Sequence, residues 1–291
     1  MKPAPFDYHR PETIEEAVAL LGELGDAAKV LAGGQSLIPM LALRLTAFDH
    51  LVDIGRIAEL TGIERRDGQI RIGAGTRFAS VEASPDAAAG VPLLTRATRL
   101  VGHFQIRNRG TVGGSLAHAD PAAEYPAVAL ALGAGVQVRS PRGERTIAAA
   151  DFFDGLWTTS MEPDELLVAV SFPAWFGRCG FAVEEFARRH GDFAIAGTAL
   201  AVQLDEQDRV TRCAIGLLGL GAEPERAGRA EESVVGQAAG EIEAEEIGRL
   251  AMTGLESVPA DLQGSAEYRK RVGAAMVARA WATAVTEAAH A

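Results

Sequence analysis

At 291 residues, 48% hydrophobic and 23% charged, the chain is long for a single core and ordinary in composition, which predicts two packed domains and excludes wholesale disorder. A formal net charge of -11 argues against a nucleic-acid partner, because phosphate contacts need a basic face. No uncharged apolar run nears the roughly 20 residues of a membrane span, and Cys179 and Cys213 are too few for an iron–sulfur cluster, so a cytoplasmic protein with reduced thiols is expected.

The opening MKPAPFDYHRPET puts prolines and charges where an export signal needs an apolar core, so none is expected. In TIEEAVALLGELG, Thr13 and Glu16 stand at capping-box spacing, Ile14, Ala17, Val18, Leu21 and Leu24 share one face, and Gly25 supplies a stop. That predicts a helix. AKVLAGG reads as a short buried strand ending in a glycine turn. Ser36 is placed to cap the next helix, with Pro39 tolerable in its first turn. HLVDI is a second strand, so the first fifty or so residues form a small α/β unit.

From Ile57 the texture changes. GIERRDGQIRIGAGT predicts a hairpin turning at Asp67-Gly68, and VPLLTRATRLVGHFQIRN a helix to about Gly102. GVQVRSPRGERTIAAADFF predicts another hairpin around Pro141-Arg142-Gly143, and ELLVAVSFP a closing strand. AWFGRCG is a candidate linker. Beyond it, AIAGTALAVQLDEQDRVTRCAIGLLGLG predicts strands around a polar turn, and the Ala- and Glu-rich tail from about Glu241 predicts helices.

Two glycine motifs carry the chemistry. In AGGQS (Ala32 to Ser36), glycines let successive N–H groups approach a phosphate, the following helix N-terminus adds positive potential, and Ser36 can donate a hydroxyl; Lys29 lies just upstream. By itself the pentapeptide also reads as a tight turn with a serine cap. GTVGGSLAHADPAAE adds a second glycine pair flanked by Thr111 and Ser115, which offers further N–H and hydroxyl donors, while Asp120 and Glu124 could accept from sugar hydroxyls. Asp120 could equally cap a helix starting at Pro121. A dinucleotide needs both sets.

Other signatures are missing. GLLGLG (Gly216 to Gly221) has the wrong spacing for a nicotinamide fingerprint, and there is no GxxxxGK[ST], HExxH or GxSxG. His118, Asp120 and Glu124 make a weak metal set, so no metal is expected. His190, beside two arginines, reads as solvated. A dinucleotide site without acid–base or nucleophilic machinery favours a flavin, which carries its own chemistry.

LAGGQSLIPMLALRL, IRNRGTVGGSLAHADPAAEYPAVALALGA, DELLVAVSFP, RRHGDFAIAG and SAEYRKRVGAAMVARA, in this order, resemble the FAD-binding medium subunit of molybdenum hydroxylases, the carbon monoxide dehydrogenase and xanthine dehydrogenase family. The resemblance spans essentially the whole chain. It implies an α+β fold: a vanillyl-alcohol-oxidase (PCMH-type) FAD-binding domain over 1–176, built of two α+β subdomains (about 1–54 and 55–176). A C-terminal α+β domain of the CO dehydrogenase flavoprotein type follows over 177–291.

The resemblance further implies non-covalent FAD. Ala32, Gly33, Gly34, Gln35 and Ser36 would wrap its pyrophosphate, and Thr111, Gly114 and Ser115 would approach from the other side. Asp120 would hold a sugar hydroxyl with Glu124 beside it; Ile106 and Leu167 would lie near the isoalloxazine ring, and Lys29 near the adenosine half. Gln35 and His118 depart from the residues common in the family at those positions. The 2Fe-2S clusters and the molybdopterin cofactor would sit on a small and a large partner subunit, in a dimer of heterotrimers. The chain would then be an electron-transfer oxidoreductase subunit. A self-sufficient FAD-dependent oxidase or reductase of the same fold, with His103 or His118 moving protons, and a non-enzymatic ligand-binding or assembly protein are the alternatives.

Overall fold

The computed structural model describes residues 2–291, arranged around three sheets. The first is parallel, in the order Asp7–His9, His50–Asp53, Ala28–Leu31. Strand Asp7–His9 falls in the proline-rich start that carried no strand signal. Three residues cannot show a period, and pairing with His50–Val52 is what makes them a strand. Ala28–Leu31, expected to be buried, is an edge strand and stays partly exposed. Helix Ile14–Leu24 buries Ala17, Val18 and Leu21 against Val52 and its neighbours. Thr13 Oγ1 accepts from Glu16 N at 3.1 Å as the spacing predicts. The Glu16 carboxylate reaches back to Glu12 N at 2.8 Å, one residue before the cap.

The second sheet is antiparallel, in the order Ile63–Arg66, Gln69–Gly73, Leu166–Pro173, Gly135–Ser140, Gly143–Ala148. Asp67 and Gly68, at φ 51° and 74°, form the expected two-residue turn. Leu166–Pro173 runs through the middle and is covered on both faces, which is why its sequence is apolar at successive positions, apart from Ser171, rather than alternating. Leu166 and Val168 join the core under the first sheet, while Leu167, Val170 and Phe172 belong to the larger core of the second. The helix expected up to Gly102 is shorter: Pro92–Thr98, then a separate turn of helix at Phe104–Arg107.

The third sheet is antiparallel, in the order Glu225–Arg226, Val210–Leu218, Ala196–Leu204, Arg178–Phe186. Its outer strand begins at Arg178, so the linker expected at AWFGRCG shrinks to 174–177. Helix Ala266–His290 lies along this sheet and carries a buried Arg269, whose Nη1 donates to the Ile195 carbonyl (2.6 Å) and whose Nη2 donates to Asp261 (2.8 Å).

Helix Glu124–Leu132 is buried from Tyr125 to Leu132 because sheets close over it from both sides. Gly216 of the third sheet meets it so closely that a Cβ there would stand 2.2 Å from the Ala127 carbonyl oxygen. On the same boundary, Arg96 pairs with Glu287 of the C-terminal helix through two bonds of 2.6 Å. The helix that follows the second glycine motif is thus locked between the two halves of the molecule.

Candidate functional site

The two glycine motifs meet. Gly33 lies against the strand of backbone that leads into the second motif: a Cβ on it would stand 2.4 Å from the Arg109 carbonyl oxygen and 2.8 Å from Gly110 Cα. A Cβ on Gly114 would come 3.6 Å from Ala32 Cβ. Gly34 has φ +71°, the left-handed region that β-branched residues avoid. Gly33 is therefore a packing glycine, and Gly34 a conformational one.

The donors divide unevenly. In the first turn, the N–H groups of Gly33, Gly34, Gln35 and Ser36 donate to no acceptor among the described residues. The Gln35 side chain folds back, its Nε2 donating to the Gly33 carbonyl at 2.9 Å, which stiffens the turn. Ser36 occupies the cap position of helix Leu37–Leu43 but makes no cap bond, contrary to the expected serine cap, so its hydroxyl is uncommitted. Four consecutive free amides and a hydroxyl at one turn are the donor set of a phosphate-binding nest.

The second motif spends its amides internally, which corrects the expectation of a second row of N–H donors. Val112 N donates to Thr76 O (3.0 Å), Gly113 N to Ala74 O (2.8 Å), Gly114 N to Thr111 Oγ1 (3.1 Å) and Ser115 N to Thr111 O (3.0 Å). Gly113 can approach Ala74 only because it lacks a side chain, since a Cβ would lie 2.5 Å from that of Ala74. The second motif serves as a wall held close to the first turn. Thr111 is buried and its hydroxyl serves as the cap of helix Val112–His118.

Two adjoining cavities of about 470 and 610 Å³ open beside this contact, at the carboxyl ends of the parallel strands. Between them they take in Ala32, Gly33, Gly34, Gln35 and Thr111. They also take in residues the motifs did not suggest: Arg10, Asp53, Gly55, Arg56, Arg77 and Arg109. The signal available in the sequence was positional, since Arg10 and Asp53 follow or end parallel strands and Arg109 directly precedes the second motif. Asp53 is already engaged, accepting from the Tyr8 hydroxyl and from Gly55 N (2.8 Å).

Lys29, Ser36, Ile106, Gly114, Ser115, Asp120, Glu124 and Leu167 lie outside these two linings. Lys29 Nζ stands 5.8 Å from the Phe48 ring centroid and is close enough to His118 to disfavour its protonation. His118 stacks on Trp157 (6.3 Å, 8° between planes). Burial lowers its pKa, with Asp120, 4.0 Å away, opposing, so the ring is neutral at pH 7. Asp120 does not cap a helix at Pro121: its Oδ1 accepts from Ala122 N (2.9 Å) in a turn, and the helix starts at Glu124. Ile106 sits on the short helix Phe104–Arg107, and Leu167 is buried in the second sheet. Cys179 and Cys213 are buried free thiols, and no metal-ligating cluster of three occurs among the described residues.

Glu124 is pushed up to about 8 by burial first, then by Glu185 and Asp120, against the hydrogen bond from its own main chain. Glu185 is itself pushed up to about 7 by burial, and its Oε2 is buried without a partner. With the folded pKa of Glu124 above the ordinary value of 4.5, the folded chain keeps a proton that the unfolded chain loses. Stability from this group is therefore full below about pH 4.5 and falls as pH rises through 8. Glu124→Gln is expected to flatten that slope and to add about 2 kcal/mol at the alkaline end. Melting temperatures of the two proteins across this range check it; parallel curves would contradict the assignment.

Comparison with known proteins gives a consistent relationship. Residues 4–175 match the family model described as the FAD binding domain in molybdopterin dehydrogenase, and residues 181–284 match the CO dehydrogenase flavoprotein C-terminal domain. The chain is 43% identical to the 6-hydroxypseudooxynicotine dehydrogenase complex subunit alpha of Paenarthrobacter nicotinovorans, over 99% of this chain and 97% of that one. It is 38% identical to the carbon monoxide dehydrogenase medium chain of Hydrogenophaga pseudoflava, over 96% and 97%. The solved carbon monoxide dehydrogenase of Hydrogenophaga pseudoflava, in a form lacking the Mo-pyranopterin moiety, superposes with a TM-score of 0.95, 38% identity and 99% coverage of each chain.

Proposed function

Because the chain belongs to the FAD-binding flavoprotein subunits of the molybdopterin dehydrogenases, the carbon monoxide and xanthine dehydrogenase family, we propose that it is the medium subunit of a molybdenum-containing hydroxylase or dehydrogenase. Its place is to pass electrons arriving from a partner subunit, through FAD, to an external acceptor. The observation that carries this reading is the row of four free N–H donors, Gly33 to Ser36, held against the backbone of the second motif. The donor set fits a dinucleotide's diphosphate.

When bound, FAD supplies the redox chemistry. The residues of this chain bind and orient it. Ala32 to Ser36 hold the diphosphate, with Thr111, Gly114 and Ser115 forming the facing wall. Asp120 accepts from a sugar hydroxyl with Glu124 beside it, Ile106 and Leu167 border the ring system, and Lys29 the adenosine half. His118, neutral and stacked on Trp157, lends a weakly polar edge without a charge. The unit holding FAD is residues 1–176, in two subdomains meeting near 54, and 177–291 closes over its buried helix.

Relatives that match over their whole length are subunits of multi-subunit complexes. The partners of this chain are a small subunit with 2Fe-2S clusters and a large subunit with molybdopterin, assembled as a cytoplasmic dimer of heterotrimers. Exposed Phe104, at the start of helix Phe104–Arg107, and exposed Phe193, on a loop, stand on segments joined through the His103–His190 contact and support a covered surface there. Which substrate the large subunit takes is set outside this chain, and the relatives' names already span carbon monoxide and 6-hydroxypseudooxynicotine.

Isolation of the chain from native extract tests the reading. The expected result is equimolar FAD, released intact by acid, with iron, acid-labile sulfide and molybdenum in the co-purifying subunits. A flavin-containing chain that purifies alone and oxidises its own substrate would instead make it a self-sufficient oxidase. A chain without flavin, both alone and in its complex, would overturn the proposal.

A further inference from the structure

We propose that Arg77 binds the diphosphate of the FAD and locks the two glycine turns together, a role that rests on the FAD reading above. Arg77 lies in neither glycine motif. With Ala32 and Gly55 it is one of the residues shared by the linings of both cavities, so it stands where they join. Its main chain is pinned to the second motif. Arg77 pairs with Thr111 in an isolated antiparallel bridge, Thr76 O accepts from Val112 N (3.0 Å), and Phe78 N donates to Gly110 O (3.1 Å).

The side chain continues this connection. Arg77 Nη1 donates to the Arg109 carbonyl, the same atom that Gly33 packs against. One oxygen is therefore the meeting point of the first turn, the second motif and the guanidinium. A guanidinium has five N–H donors in a rigid fork, so this bond leaves others for the cavities the residue lines.

Its charge is not answered by the protein. Among the described residues, Arg77 has no carboxylate within 4.0 Å, and neither have Arg10, Arg56 and Arg109 around the same cavity. Asp53, the one acid in that lining, is occupied by Tyr8 and Gly55. Burial, and then Arg109, disfavour the charged form of Arg77, with Asp53 opposing. Four unpaired arginines around one cavity, in a chain of net charge -11, select an anion. Gly33, Gly34 and Gln35, whose amides are free, line the same cavity as Arg77, so the anion they take is within the reach of the fork. The amides fix the diphosphate's position; the fork supplies charge that they lack.

The test uses the full chain stripped of flavin and titrated with FAD and with riboflavin, which lacks phosphate, at low and high ionic strength. Arg77→Met is expected to weaken FAD binding about 10- to 100-fold and to reduce its salt dependence, with riboflavin binding unchanged. Arg77→Lys should keep the salt dependence and lose part of the affinity, because the charge remains and the fork does not. Equal losses for FAD and riboflavin would reduce Arg77 to a structural role and overturn the proposal, as would wild-type FAD affinity in Arg77→Met. Should Arg77→Met not fold, the wild-type titration decides: FAD binding independent of salt refutes the charge role. A wild-type chain that binds no FAD, alone or in its complex, instead refutes the functional reading itself.

Discussion

Gly34→Val is expected to abolish FAD binding while leaving the protein folded. Gly34 holds φ +71°, and a β-branched residue in that region strains the backbone by at least about 1–2 kcal/mol. Its Cβ would also stand 3.0 Å from Ile38 Cγ1 and 3.2 Å from Leu31 Cδ1. The turn relieves this by rotating out of the left-handed region, and rotation rearranges the row of free amides from Gly33 to Ser36. Loss of at least two aligned donors to a charged group corresponds to roughly 100-fold or more in affinity. Gly114→Val should act on the same site by a different route. Its Cβ would lie 2.7 Å from Thr111 Oγ1, displacing the cap of helix Val112–His118 and pushing the wall toward Ala32. Flavin content per chain after purification, with circular dichroism as the control for folding, measures both. Wild-type flavin stoichiometry in a folded Gly34→Val protein would refute the role assigned to the turn.

Gly180→Ala should cause the largest loss of stability among single methyl additions in the C-terminal half. The added carbon would fall 1.8 Å from the Ala284 carbonyl oxygen and 2.9 Å from Ala288 N, both main-chain atoms of helix Ala266–His290. Side chains can rotate away from an intruder, whereas a helix backbone cannot without lifting the whole element. The helix would therefore separate from strand Arg178–Phe186 and uncover Trp281, Ala284 and Ala288. A cost of about 3–5 kcal/mol, or a fall of about 10 °C in melting temperature, follows. Gly240→Ala is the matched control, because nothing lies within 4 Å of its Cβ position and its φ is not positive. Scanning calorimetry showing the two variants alike would mean that the helix does not rest on Gly180.

The division of labour between the glycines explains how much of the site was readable. AGGQS announced a tight strand-to-helix turn, because a strand, two glycines and a helix start are local features, and local backbone geometry follows from local sequence. TVGGS looks much the same and behaves differently. Thr111 takes the amides of Gly114 and Ser115 locally, but those of Val112 and Gly113 are taken by Thr76 and Ala74, residues some forty positions earlier, and no neighbouring residue in the sequence announces that pairing. Arg77 was missed for the same reason. Its importance comes from a carbonyl at Arg109 and a cavity shared with Ala32 and Gly55, contacts that exist only after folding.

The elements follow a similar rule. Helix Ile14–Leu24, the Asp67-Gly68 hairpin and the strands Ala196–Leu204 and Val210–Leu218 were legible because each carries its own period, cap or turn chemistry. Strand Asp7–His9 and the early start at Arg178 were not, since they are strands by virtue of their partners.

The amino-acid sequence by itself determined the elements with an internal signal, the glycine turn between strand and helix and the family to which the chain belongs, because these depend on neighbours in the chain and on motif order. Tertiary structure alone decided which of two like-looking glycine motifs keeps its donors, which arginines gather around the cavity and which glycines are there for packing. Hydrogen-bond satisfaction and close backbone approach depend on distance in space, and distant segments meet only when the core has closed.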